Sequence, residues 1–173
     1  RNHTATHILH ATLRNVLGEH VQQAGSLVAP DHLRFDFSHN LALNTEEFDQ
    51  VKKIVNARVR QNIEVRWQNL PLRQALNEGA LAFFGDKYGE TVRVLQAGEK
   101  SLEFCGGTHV SALCDIGLVK IVSEGSIGSN IRRLEAVTGT SSIENLCFRV
   151  EFNVTIIPYT PILFAIKLGV SLA

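Results

Sequence analysis

The chain has 173 residues, of which 45% are hydrophobic and 20% charged, with 17 basic and 17 acidic side chains and no formal net charge. This is the composition of an ordinary globular chain with enough apolar residues for a core, arranged as one domain or at most two. Balanced charge excludes a globally basic nucleic-acid binder, so any contact with nucleic acid must rest on local patches.

The first element predicted is a helix from His3 to Leu17. Its apolar residues Ile8, Leu9, Leu13, Val16 and Leu17 cover one side, and Gly18 follows where a helix would stop. His10 and Arg14 continue the stripe of His3 and His7 along the edge of that apolar side, as a polar border to a cleft. The segment Leu33-Arg-Phe-Asp-Phe-Ser38 alternates like a half-buried strand, with Arg34, Asp36 and Ser38 read as its polar face. Asn44 and Glu47 have capping-box spacing, and Phe48, Val51, Ile54, Val55 and Val59 carry a helix to about Gln61. Ile63, Val65 and Trp67 alternate as a strand, with Trp67 read as core. A short helix is expected over Leu72–Asn77 after Pro71, then strands over Thr91–Leu95, Ser101–Cys105, Leu118–Ser123 and Ile131–Val137. Strands joined mainly by turns, with helices interspersed, indicate an α+β fold with a largely antiparallel sheet.

Two pairs carry the chemistry. His3-Thr-Ala-Thr-His7 places two imidazoles one helical turn apart on the same face, and Cys105-Gly-Gly-Thr-His109 places a thiol and an imidazole around a glycine turn. Three imidazoles and one thiol suit a tetrahedral zinc ion. Thr4 stands where a zinc protease has its general-base Glu, and the H-x-E and P-C-x-x-C segments of zinc deaminases are absent, so peptide hydrolysis and base deamination are disfavoured. Four protein ligands would make the ion structural, and three with a water would make it catalytic; both arrangements fit these residues. Cys114 and Cys147 fall in no such pair. An odd cysteine count without a framework points to a reducing compartment, the cytoplasm or an organellar matrix. His20, His32 and His39 read as surface or packing residues, as does His10, at the edge of the cleft.

Six segments in order then resemble a known family. They are Arg1-Asn-His-Thr-Ala-Thr-His7, Gln23-Ala-Gly-Ser-Leu27, Leu33-Arg-Phe-Asp-Phe-Ser-His39, Phe84-Gly-Asp-Lys-Tyr-Gly89, Cys105-Gly-Gly-Thr-His109 and Arg132-Arg-Leu-Glu-Ala-Val-Thr-Gly139. From residue 1 to about 142 they resemble the editing domain of alanyl-tRNA synthetases. A more distant similarity runs to threonyl-tRNA synthetase editing domains and free-standing alanyl editing proteins. The resemblance implies that family's fold, a Zn2+ cofactor, an alanine-accepting tRNA as partner, and hydrolysis of serine or glycine mischarged on it. It implies Thr6, Gln23 and Cys105 as catalytic-site residues, and His3, His7, Cys105 and His109 as metal ligands. Gln23 suits recognition of the serine hydroxyl, because its amide both donates and accepts. No general base stands out among the motif residues.

The tRNA candidates are Arg132, Arg133 and Lys87, then Arg93 and the helix bearing Lys52, Lys53, Arg58 and Arg60; the plainer reading is a solvated face. The segment Ser123 to Asn130, rich in glycine and serine, reads as a hairpin connection or, lying just before Arg132, as a contact for the tRNA end. The chain starts inside a motif and has no Met, so it reads as part of a longer enzyme whose ATP-binding aminoacylation domain would precede residue 1. The domain is expected over 1–146, and 147–173 departs from the family as an atypical apolar tail. Pro158, Pro161 and Lys167 argue against a membrane span there. Rival readings are a non-catalytic, zinc-stabilised tRNA-binding module and editing of a threonine-type tRNA. Neither composition nor motif indicates an oligomeric state.

Overall fold

The computed structural model describes residues 1–83 and 87–151, with side chains given up to residue 145. The first three residues of the Phe84 to Gly89 motif, the Cys147 side chain and the apolar tail from residue 152 therefore lie outside the described residues. Residues 1–143 form one compact unit, and a second unit starts at Glu144.

The elements run α1 (Asn2–Leu17), β1 (Gln23–Val28), β2 (Leu33–Ser38), α2 (Thr45–Arg60), β3 (Val65–Pro71), α3 (Leu72–Asn77), β4 (Thr91–Ala97), β5 (Leu102–Phe104), a 3-10 turn (Leu113–Ile116), β6 (Val119–Gly128), β7 (Ile131–Thr138) and α4 (Thr140–Glu151). They form two antiparallel sheets, β1-β2-β7-β6 and β3-β4-β5, which bears out the α+β expectation. The helix over Leu72–Asn77 follows Pro71 as expected, because proline ends the ladder and fixes a helical φ. Three elements carried no legible pattern. Edge strand β1 is half-exposed and irregular at Gly25, the 3-10 turn is too short for a periodic signal, and α4 follows directly on β7.

α1 is the centre of the fold and packs against strands of both sheets and against α2. Its buried residues include Ile8, Leu9 and Leu13, and also Thr4, Thr6, His7, His10 and Thr12. The hydroxyls of Thr6 and Thr12 donate to the carbonyls of Asn2 and Ile8, which lets polar side chains share a buried helix. α2 begins with the full capping box: the Asn44 side chain accepts from Glu47 N–H, and the Glu47 carboxylate accepts from Asn44 N–H, both at 2.9 Å. From there Val51, Val55 and Val59 recur every fourth residue and enter the core.

Two expectations are corrected. Asp36 is not on a solvated face: it is 6% exposed and lies opposite Arg133 in the β2–β7 register, where the guanidinium donates to both carboxylate oxygens at 2.7 and 2.8 Å. Trp67 is not core. It is 57% exposed on edge strand β3, with Arg93 as its ring partner.

Candidate metal centre

Strand β5 alternates, so Glu103 and Cys105 leave it on the same side and Phe104 enters the opposite core. That side faces α1. The ligand atoms of His3, His7, Cys105 and His109 all lie within 4.8 Å of one another, although the two pairs are about a hundred residues apart. Cys105 Sγ is 3.4 Å from His3 Nε2 and 3.3 Å from His109 Nε2. A tetrahedral zinc with ordinary Zn–S and Zn–N bonds holds sulfur and nitrogen about 3.5 Å apart.

The outer ring nitrogens of His7 and His109 are already held. His7 donates from Nδ1 to Glu103 Oε2 at 2.7 Å, which turns its Nε2 toward the cluster. That Nε2 is buried without a hydrogen-bond partner among the described residues, as a metal-binding nitrogen would be. His109 Nδ1 lies 3.2 Å from Thr4 Oγ1, which also accepts from Val110 N–H at 3.2 Å; with Nε2 given to a metal, Nδ1 would carry the proton and donate to the threonine. Gly107 meets a steric demand: a Cβ there would overlap the His3 ring. The donor set, its spacing and the bare His7 nitrogen together fit a zinc ion.

Electrostatics favour the thiolate a metal would bind, and they hold on His7 a proton that a metal would displace. Burial pushes the Cys105 thiol up, but the imidazoles of His109, His3 and His7 and the Gly107 amide overcome this and hold it at about 3, a thiolate. Burial likewise opposes charge on His7, and the adjacent Cys105 thiolate and the Glu103 carboxylate that accepts from Nδ1 outweigh it, raising it to about 9. Glu103, desolvated yet bonded by His10 and His7, is held at about 2 and stays a carboxylate. It is 1% exposed, and its second oxygen accepts from His10 Nδ1 at 3.0 Å.

Glu103 and its contact with His10 were missed by sequence reasoning. A carboxylate two residues before Cys105, on the same side of the strand, was the available signal. His10 is a buried partner of that carboxylate, so the surface-or-packing reading is corrected. Together with Arg14, Gln23 and Phe83 it lines a cavity of about 240 Å³. Phe83 also lines a wider cavity of about 490 Å³, whose wall includes His3, Cys105 and Gly107.

Other candidates are placed less centrally. Gln23 stands at the start of β1, its amide 3.4 Å from Ser26 Oγ. Thr6 spends its hydroxyl on the Asn2 carbonyl. Arg132 is paired with Glu124 at 2.6 Å and Arg133 with Asp36, while Arg58 is half-buried and donates to Thr12 Oγ1. Lys52 pairs with Asp49. Lys87 and Arg93 both line the wider cavity. The reading of Ser123 to Asn130 as a connection is corrected: residues 123–128 are the second half of β6, paired with β7, and only Ser129 and Asn130, the latter at φ 59°, make the turn. No described helix is long and apolar enough to cross a membrane.

Residues 92–135 match the family described as Threonyl and Alanyl tRNA synthetase second additional domain. The chain is 58% identical over 143 residues to alanine–tRNA ligase of Xanthomonas campestris pv. campestris (strain B100), covering 83% of this chain and 16% of the relative. It is 57% identical over the same length and shares to that of Xanthomonas oryzae pv. oryzae (strain PXO99A). The chain thus spans 16% of the length of the curated relatives it matches.

Proposed function

The chain belongs to the alanyl-tRNA synthetase editing domains, and we propose that it hydrolyses the ester joining serine or glycine to alanine tRNA, with zinc held by His3, His7, Cys105 and His109. The observation that carries this reading is the convergence of those four side chains on one point, with His3 and Cys105 on the wall of an open cavity.

The need for such a site is physical. A pocket sized for alanine excludes the smaller glycine poorly and rejects a serine hydroxyl only modestly, so a second, hydrolytic site supplies the remaining discrimination. A zinc ion bound here would orient the aminoacyl ester or its ribose and would acidify a water. The remaining work falls to the chain. Glu103 fixes the His7 ring, Thr4 fixes His109, and Gly107 leaves room for His3. Gln23, beside His10 in the smaller cavity, reads the serine hydroxyl through its amide. Thr6 acts by tying its hydroxyl to the Asn2 carbonyl, in the first turn of α1 that carries His3. Cytoplasm or an organellar matrix, both reducing, would keep Cys105 competent.

The test is release of serine from serine-charged alanine tRNA by the purified, zinc-loaded chain, with threonine-type mischarged tRNA as the comparison. Cys105→Ala combined with Gln23→His is expected to abolish release, and equal deacylation by both proteins would sink the proposal. One observation favours a second reading. Four protein ligands close a tetrahedral site, which is the pattern of a structural zinc in a non-catalytic tRNA-binding module. That reading predicts stoichiometric tRNA binding without turnover.

A further inference from the structure

We infer that Trp67, backed by Arg93, is a stacking platform for one unpaired nucleobase of the RNA whose aminoacylated end reaches the metal centre. The inference rests on the reading of tRNA as substrate and adds the place where its single-stranded end is gripped.

The three-stranded sheet sets Trp67 opposite Leu95, and Leu95 opposite Glu103. Directly paired residues share a face, so these three form one row across the side of the sheet that carries Glu103 and, two residues on, Cys105. Arg93, two residues before Leu95, shares this face. The row is buried at Leu95 and Glu103 and emerges into solvent at Trp67. A large aromatic ring is thus left open at the rim of the side that holds the metal ligands.

Arg93 links that rim to the centre. Its guanidinium carbon lies 4.4 Å from the Trp67 ring centroid, and its Nη1 donates to the Gly107 carbonyl at 2.6 Å, inside the segment that carries Cys105 and His109. Its Nε is buried without a partner among the described residues. Arg93 also forms part of the wall of the 490 Å³ cavity, with Lys87, Tyr88, His3 and Cys105. A cation held against one face of an exposed indole, with a second cation on the adjoining cavity, matches how single-stranded nucleic acid is bound. The ring stacks a base of any identity, and the cations follow the backbone. A protein partner would instead call for a wider apolar patch, and on the Trp67 face of β3 the neighbours are Val65, half-buried, and Asn69, polar and exposed.

Trp67 is the only tryptophan in the chain, so its emission reports directly on this surface. The full chain, zinc-loaded, is titrated with a short single-stranded RNA ending in adenosine and with the same sequence as a duplex. Binding is followed in parallel by anisotropy of labelled RNA. The expected result is saturable quenching of Trp67 by the single strand only, with binding weakened about tenfold or more in Trp67→Ala and largely retained in Trp67→Phe. Unchanged emission at saturating RNA, undiminished affinity in Trp67→Ala, or no binding of the single strand would each overturn the platform. Ester hydrolysis is measured separately. Full kcat/KM in Trp67→Ala refutes the platform and leaves deacylation standing, whereas quenching without any turnover refutes deacylation and leaves the platform standing.

Discussion

Glu103 carries the site's internal order. One carboxylate accepts from His7 at 2.7 Å and from His10 at 3.0 Å, and it does so almost fully out of water. A buried charge is tolerated only when its oxygens are satisfied, and here two imidazole N–H groups do this. The consequence is that the His7 Nδ1–H is fixed on Glu103, so Nε2 is the nitrogen offered to a metal once its proton is lost. Glu103→Gln keeps the shape, but its amide offers one oxygen where two imidazoles need acceptors. Zinc affinity, measured by competition with a chelator, is expected to fall about 10–100-fold. Affinity equal to that of the parent chain would show that His7 is oriented by something else. None of this could be read from spacing alone. The carboxylate stands among several acidic residues, and only its side of the strand distinguishes it.

The elements were more legible than their contacts. The apolar spacing after His3, the Asn44–Glu47 box and the alternation from Leu33 each predict an element that the structure contains, because local periodicity and capping act within one turn or one strand. Polar faces were less legible. Asp36 alternates as a solvent residue should, yet β7 brings Arg133 directly opposite, and a bidentate pair can be buried where a lone carboxylate cannot. Trp67 failed in the reverse sense, since β3 lies at the edge of its sheet and leaves the ring uncovered. At this scale Asn44→Ala should lower stability by about 1 kcal/mol through loss of the cap, read as a lower urea midpoint with an unchanged slope. Deacylation should be unaffected, because α2 carries none of the metal ligands. An unchanged midpoint would mean that the box contributes nothing.

Across the whole molecule, the cluster makes the metal-free protein sensitive to acid. Cys105 lies at about 3 against an ordinary 9.0, so its stabilisation is complete only above 9 and is lost as pH falls toward 3. His7 lies at about 9 against 6.5, so its stabilisation is complete below 6.5 and is lost as pH rises through 9. Between 6.5 and 9 the two trends oppose each other. Below 6.5 the Cys105 loss remains, joined by His109 and His39, both held below their ordinary value chiefly by burial, and below 4.5 by Glu103, which is held at about 2. The urea midpoint of the metal-free chain is therefore expected to be nearly level from pH 6.5 to 9 and to fall steadily below 6.5. Cys105→Ser should flatten the fall between 6.5 and 4.5, and an equally steep fall in that variant would assign the acid sensitivity elsewhere.

The sequence by itself determined the element types, the two ligand pairs and the family, because these are encoded in short spacings and in ordered motifs. Tertiary structure alone decided that the pairs meet, that Glu103 and Thr4 orient two of the ligands, and that Trp67 faces solvent on the metal side. The physical reason is that α1 and the end of β5 are about a hundred residues apart, and their meeting depends on strand register and on burial of α1 between elements. No local pattern records either.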